Sequence, residues 1–153
     1  MHNRLFAEYI EQKMRASNLN LAQLSEISNI SKGELSKILS MTRSKISPLS
    51  FYKAYKAFGD SFSTIKNFVF PDIKLKNDIA DFKNRNEFGV FMKKFEKDVK
   101  TNTPIEISAS TGINITRIKA IYVKKGAVNA EELILIEMAI GKNPGELFEL
   151  YYG

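Results

Sequence analysis

An all-α fold of two tandem units, each of five helices, is what this sequence predicts, and three observations support it. A fifteen-residue pattern of apolar, small and turn residues occurs twice, at 24–38 and 107–121. Both occurrences are flanked by segments whose apolar residues recur at helical spacing and whose ends carry capping residues. From Ile46 to Phe70 and from Val128 to Tyr152 the halves align without a gap, pairing Ala57 with Ala139 and Gly59 with Gly141. Few identities survive, so the repeat lies in pattern rather than in letters. Residues 1–70 form the first unit, 71–85 a linker and 86–153 the second.

In the first unit, helix 1 runs from about Asn3 to Ala16, because Phe6, Tyr9, Ile10 and Met14 fall on one helical face. Asn20-Leu21-Ala22-Gln23 has the spacing of a capping box and opens helix 2, which ends near Ser28. Asn29 tolerates the left-handed backbone that a sharp stop needs, and Ile30 plugs the corner. Ser31 then caps helix 3, Ser31 to Ser40, with Glu34 at the spacing of a second capping box. Leu35 and Ile38 give that helix one buried stripe. Ser47 before Pro48 starts helix 4, which ends at Gly59. Asp60 or Ser61 caps helix 5, whose Phe62, Ile65 and Phe68 face the core, and Pro71 closes the unit.

The linker is polar with a short apolar rhythm at Ile79 and Phe82, enough for one or two helical turns. In the second unit, helix 1 runs from Glu87 to about Lys100 with Phe88, Phe91, Met92, Phe95 and Val99 inward. Thr103-Pro104-Ile105-Glu106 combines a capping box with proline at the first helical position. Gly112 and Ile113 repeat the stop and the plug, Asn114 caps the next helix, and Ile118 with Ile121 forms its stripe. Asn129-Ala130-Glu131-Glu132 opens helix 4, Gly141 ends it, and Asn143-Pro144-Gly145-Glu146 opens helix 5. Tyr151 and Tyr152 either join an interface between copies or pack on helix 1.

Each fifteen-residue pattern has a steric logic. The bulky-small pairs Leu24-Ser25 and Ile107-Ser108 let one short helix press closely on the next. The helices then cross steeply and leave the second exposed, which is a helix-turn-helix.

Composition narrows the functional classes. The chain has 153 residues, of which 44% are hydrophobic, enough for packed cores and against disorder. It has no cysteine, so disulfides, thiolate metal sites and cysteine nucleophiles are excluded, as suits a reducing cytosol. No apolar run approaches the ~20 residues that span a bilayer, and Met1-His2-Asn3-Arg4-Leu5 lacks a signal-peptide core. A soluble, cytoplasmic protein with no membrane partner is the expectation. The net charge is +6 and it is unevenly spread: residues 1–70 hold ten Lys and Arg against five Asp and Glu, residues 101–153 five against six. The excess lies where the first helix-turn-helix lies, as a polyanion partner requires.

With these residues in place, the chain resembles the phage-repressor, Cro/XRE-like family of bacterial and phage helix-turn-helix regulators, over residues 3–70 and 86–153. The resemblance implies two lambda-repressor-like domains and a sequence-specific regulator of transcription, a repressor, that binds double-stranded DNA. It also implies that the loop Arg43-Ser44-Lys45 touches the DNA backbone. Two departures stand out: Leu21 lies where the family commonly has a phosphate-holding glutamine, and Ser40-Met41 where it often has Asn-Gly.

If the N-terminal half of helix 3 enters the major groove, Ser31, Lys32, Gly33, Ser36 and Lys37 face base edges. Lysine donates to the O6 and N7 of guanine, and Lys37 is the first candidate for a base contact. Lys32 is suited to a phosphate as well, and Gly33 permits close approach. Phosphates fall to the start of helix 2, with Asn20 and Gln23, and to Arg43 and Lys45. Lys53 reads as a solvated helix face rather than a contact. About six neutralised phosphates give a log–log salt slope of roughly −5.

The second unit offers Asn114, Thr116, Arg117 and Lys119, one exposed isoleucine, Ile115, and the pair Lys124-Lys125. It is either a second DNA-reading head or a copy kept for dimerisation. Its near-neutral charge favours dimerisation, hence a homodimer with half-sites ~34 Å apart. The competing class is a protein-binding module, such as an antitoxin or a phage-encoded inhibitor, with little DNA binding. Catalysis has no support: His2 is the only histidine, in a terminus expected to fray, and no phosphate loop or metal cluster is spelled out. No cofactor and no small-molecule substrate are expected.

Overall fold

The computed structural model describes residues 1–75, 87–94, 104–124 and 127–153, the third stretch with side chains through Tyr122. The helical turns expected around Ile79 and Phe82 in the linker, the inward positions expected of Phe95 and Val99, and the cap expected of Thr103 lie outside these residues. Among the described residues the chain is all-α, without strands. It divides into two compact units near Asp72.

The first unit holds α1 (His2–Ala16), α2 (Leu21–Ser28), α3 (Lys32–Leu39), α4 (Pro48–Ala57) and α5 (Phe62–Val69). Local capping chemistry sets its boundaries. Asn20 Oδ1 accepts from the Gln23 N–H at 2.8 Å while Gln23 Oε1 accepts from the Asn20 N–H at 2.9 Å, closing a reciprocal capping box. Ser47 caps α4 ahead of Pro48, and Ser61, not Asp60, caps α5. Helix α1 packs on α3 and α5, and α2 on α3 and α4. Phe6, Tyr9 and Ile10 are buried on α1, while Met14 is half-buried. Phe51 centres the core, with the rings of Phe6, Tyr55, Phe62 and Phe70 at 5.7 to 6.2 Å from it. The sequence reading of α5 erred at its end: Phe68 is half-buried and Val69 is the buried residue. His2 does not hang free either, since it lies in α1 with its ring 4.8 Å from that of Phe70.

Asp60, released from capping, closes the bundle another way. Its carboxylate accepts from the Tyr9 hydroxyl at 2.6 Å and from Lys13 Nζ at 2.9 Å. Burial disfavours its charge, but the bonds from Lys13 and Tyr9 outweigh this and hold Asp60 below the usual carboxylate range. Burial, followed by the same Asp60, keeps the Tyr9 hydroxyl protonated far above its ordinary value.

The second unit contains α6 (Glu87–Lys93), α7 (Pro104–Thr111), α8 (Ile115–Lys119), a π turn (Ala120–Lys124), α9 (Ala130–Ala139) and α10 (Glu146–Tyr152). The π turn is absent from the sequence reading, which gave one uninterrupted helix through Ile121. Ile118, Ile121 and Tyr122 are nevertheless fully buried. Asn129 and Glu132 form a second reciprocal capping box. Leu133 to Glu137 are all buried, so α9 is covered on every side, as its apolar run demands. Glu137 is buried because α10 needs it: its two oxygens accept from the N–H groups of Gly145 at 2.7 Å and Leu147 at 2.9 Å. Gly145, at φ +85°, begins α10 without a side-chain cap, so a carboxylate from α9 satisfies the first turn. Tyr151 packs against α6, with ring centroids 5.4 Å from Phe88 and 4.9 Å from Phe91.

Candidate nucleic-acid interface

Asn29 is left-handed at φ +57°, and Gly112 in the second unit at φ +71°, so both stops have the backbone their residue types suggest. Two hydroxyl bonds then fix each corner. Ser25 Oγ donates to the Ile30 carbonyl at 2.7 Å, and Ser108 Oγ to the Ile113 carbonyl at 2.8 Å. The N–H of Ile30 donates to Ser28 Oγ at 3.1 Å, and that of Ile113 to Thr111 Oγ1 at 3.1 Å. The sequence pattern marks Ser25 and Ser108 only as small residues and assigns Ser28 and Thr111 no role at the corner. The recurrence of a hydroxyl at 25 and 108, and at 28 and 111, was the signal for the bond.

The fixed corner projects α3 with one face inward. Leu35 and Ile38 are buried, whereas Ser31, Lys32, Gly33, Ser36 and Lys37 are all exposed. Ser31 Oγ accepts from the Glu34 N–H at 3.1 Å. At the far end the Thr42 hydroxyl and its backbone N–H both donate to the Lys37 carbonyl, at 3.2 and 3.1 Å. Met41 is left-handed at φ +57°, in the place where the resembled family often has glycine. Gly33 has nothing within 4 Å of where a Cβ would stand, so packing within the fold does not require a glycine there.

The loop after α3 is tied down at both levels. Asn3 Nδ2 donates to the Arg43 carbonyl at 2.7 Å. The Arg43 guanidinium donates Nε and Nη2 to Glu34 Oε2, the former at 3.1 Å. Those bonds, then the charge of Glu34, hold Arg43 above its ordinary pKa. This corrects the assignment of Glu34 to a reciprocal capping box: only the backbone half forms, and the carboxylate reaches the loop instead. Arg43, Lys45, Glu34 and Asn3 line one crevice together with Phe6 and Ile38. Lys32, Lys37 and Lys45 form no ion pair among the described residues. Lys53 is half-exposed, and its Nζ donates to the Asn29 carbonyl at 2.9 Å, bracing the corner from α4. Asn20 and Gln23 use their acceptor oxygens inside α2, and the side-chain NH2 groups remain as donors.

The second unit arranges its corresponding face differently. Asn114 Oδ1 caps α8 through the Thr116 N–H at 2.8 Å, and Thr116 and Lys119 are exposed. Arg117 is committed internally: Nε and Nη2 donate to the two oxygens of Glu132 at 2.6 and 2.7 Å, and Nη2 also to the Ala127 carbonyl at 3.0 Å. Ile115 is half-buried rather than exposed. The Lys124 side chain and Lys125 lie outside the described residues. No group of three or more His, Asp or Glu side chains is placed to hold a metal among the described residues. No described helix is long and apolar enough to cross a membrane.

No model of a known protein family, no curated protein and no solved structure matches this chain.

Proposed function

We propose that this chain is a sequence-specific double-stranded DNA-binding regulator of transcription, a repressor acting in the cytoplasm. It consists of two tandem helix-turn-helix domains, of which the first reads the major groove with α3. The observation that carries this reading is the combination of exposed Lys32 and Lys37 on α3, free of ion pairs among the described residues, with exposed Lys45 on a loop pinned to the same helix through Arg43–Glu34 and Thr42–Lys37. Lys37 makes the base contact, Ser31, Lys32 and Ser36 line the groove, and Lys45 with the start of α2 holds phosphates. The second domain serves dimerisation, because its helix-three arginine is spent on Glu132 and, among the described residues, Lys119 is the exposed cation left on that helix.

The deciding experiment is electrophoretic mobility of a random-sequence duplex at low salt, followed by selection of bound duplexes from a random pool. Retardation at micromolar protein and a paired consensus are expected. Absence of retardation removes the DNA reading. A second reading, a module that grips another protein, is favoured by one observation, the 54% exposure of Ile27 on α2. An unretarded duplex together with a stable complex with a protein would establish it.

A further inference from the structure

We propose that the Glu34 carboxylate competes with DNA phosphate for the Arg43 guanidinium, so that the basic face of the first unit carries its own brake on binding. This rests on the DNA-binding reading and concerns the strength and salt dependence of that contact.

The edge of Arg43 that donates Nε and Nη2 to Glu34 is the edge that grips carboxylates and phosphates alike through parallel bonds. A phosphate arriving by that edge has to displace Glu34. The pair lies at the surface, with 49% of the Arg43 side chain and 18% of that of Glu34 exposed, so water screens it. A duplex presents a dense row of charge with a condensed counterion layer, and it competes strongly for such a cation. Lys32, Lys37 and Lys45 make no ion pair among the described residues. Arg43 alone of these four enters the encounter already neutralised.

The second unit shows how a permanent brace differs. Position 117 corresponds to position 34 in the repeated pattern, and the charges are exchanged: arginine stands on the helix and glutamate at the start of the next. Arg117 engages both oxygens of Glu132 and a carbonyl, with only 11% of the Glu132 side chain exposed. Glu34 uses one oxygen, and no hydrogen bond occupies the other among the described residues. The Arg117–Glu132 tie is built to stay closed, the Glu34–Arg43 pair to open.

The test measures fluorescence anisotropy of a labelled random-sequence duplex over a salt series, using the full chain. The variants are Glu34→Gln, Arg43→Ala, the two combined, and Lys45→Ala, each with its melting temperature. Glu34→Gln is expected to tighten binding about three- to tenfold at low salt and to steepen the log–log slope by about one. Adding Arg43→Ala removes that gain. In the wild-type background Arg43→Ala flattens the slope less than Lys45→Ala does. Glu34→Ala serves as a second variant, since the Ser31 cap uses only the backbone N–H of residue 34. Equal or weaker binding by both Glu34 variants overturns the brake and leaves the DNA reading standing. A wild-type chain that binds no duplex overturns both.

Discussion

Arg117 grips Glu132 through a two-pronged bond, Nε to Oε2 at 2.6 Å and Nη2 to Oε1 at 2.7 Å, and thereby ties α8 to the first turn of α9. The same carboxylate closes the Asn129 capping box, with Oε1 accepting from the Asn129 N–H at 3.0 Å. Glu132 therefore orders two structures at once, a helix start and an interhelical tie. Glu132→Gln keeps the box, because glutamine also accepts from the cap N–H, but loses the charge. Arg117→Ala strands a carboxylate that is mostly shielded from water. Discounted for the partial exposure of Arg117, its expected cost is about 1–3 kcal/mol. Urea denaturation of the two variants checks this, and a smaller loss for Glu132→Gln is expected.

The corner hydroxyls provide a paired test of the internal repeat. Ser25→Ala and Ser108→Ala each remove one bond to a carbonyl five residues on, at 2.7 and 2.8 Å respectively. Each is expected to cost about 1 kcal/mol, read as a lowered urea midpoint at unchanged slope. Unequal costs would mean that the two corners, though alike in geometry, differ in the strain they hold.

Met41 sits at φ +57° with 52% of its surface exposed, so its side chain loses little packing if removed. A left-handed backbone disfavours a residue with a Cβ by roughly 1–2 kcal/mol, while glycine adds conformational entropy to the unfolded chain. Met41→Gly is expected to stabilise the first unit by about 0.5–1 kcal/mol, visible as a raised melting temperature. A lowered one would contradict the strain assigned to this residue.

Asp60 gives the first unit an acid limit. Its folded pKa lies below the ordinary carboxylate value. The unfolded chain thus takes up the proton first, and the stabilisation is fully present above that ordinary value and is lost as pH falls through the lower, folded one. Asp60→Asn is expected to cost about 1–3 kcal/mol at neutral pH and to flatten the acid limb of the stability profile. Urea midpoints from about pH 7 down to pH 2 separate the two curves.

For the proposed DNA contacts, Lys37→Ala is expected to cost about 1–3 kcal/mol and to relax preference at one base pair. Lys45→Ala is expected to weaken all sequences alike and flatten the salt dependence by about one unit. Undiminished preference in Lys37→Ala would contradict its base-reading role. Binding selection and a salt series measure the two effects separately.

The capped helix starts and the asparagine or glycine stops were legible in the sequence because the chemistry that sets them is local. The Asn20 and Asn129 boxes each span four residues, Ser47 lies beside Pro48, and Asn29, Gly112 and Gly141 carry the backbone freedom that their turns require. Apolar spacing placed Leu35, Ile38, Ile118 and Ile121 inward for the same reason, since periodicity within one helix is a property of neighbours along the chain. What only the tertiary structure decided was the pairing of polar groups. Glu34 finds Arg43 nine residues away, Arg117 finds Glu132 fifteen away, and Tyr9 finds Asp60 fifty-one away. Lys53 braces a carbonyl across helices, and Glu137 caps a helix other than its own. A charge has several partners within reach in sequence terms, and the one it takes depends on which surfaces the packed helices bring within about 3 Å.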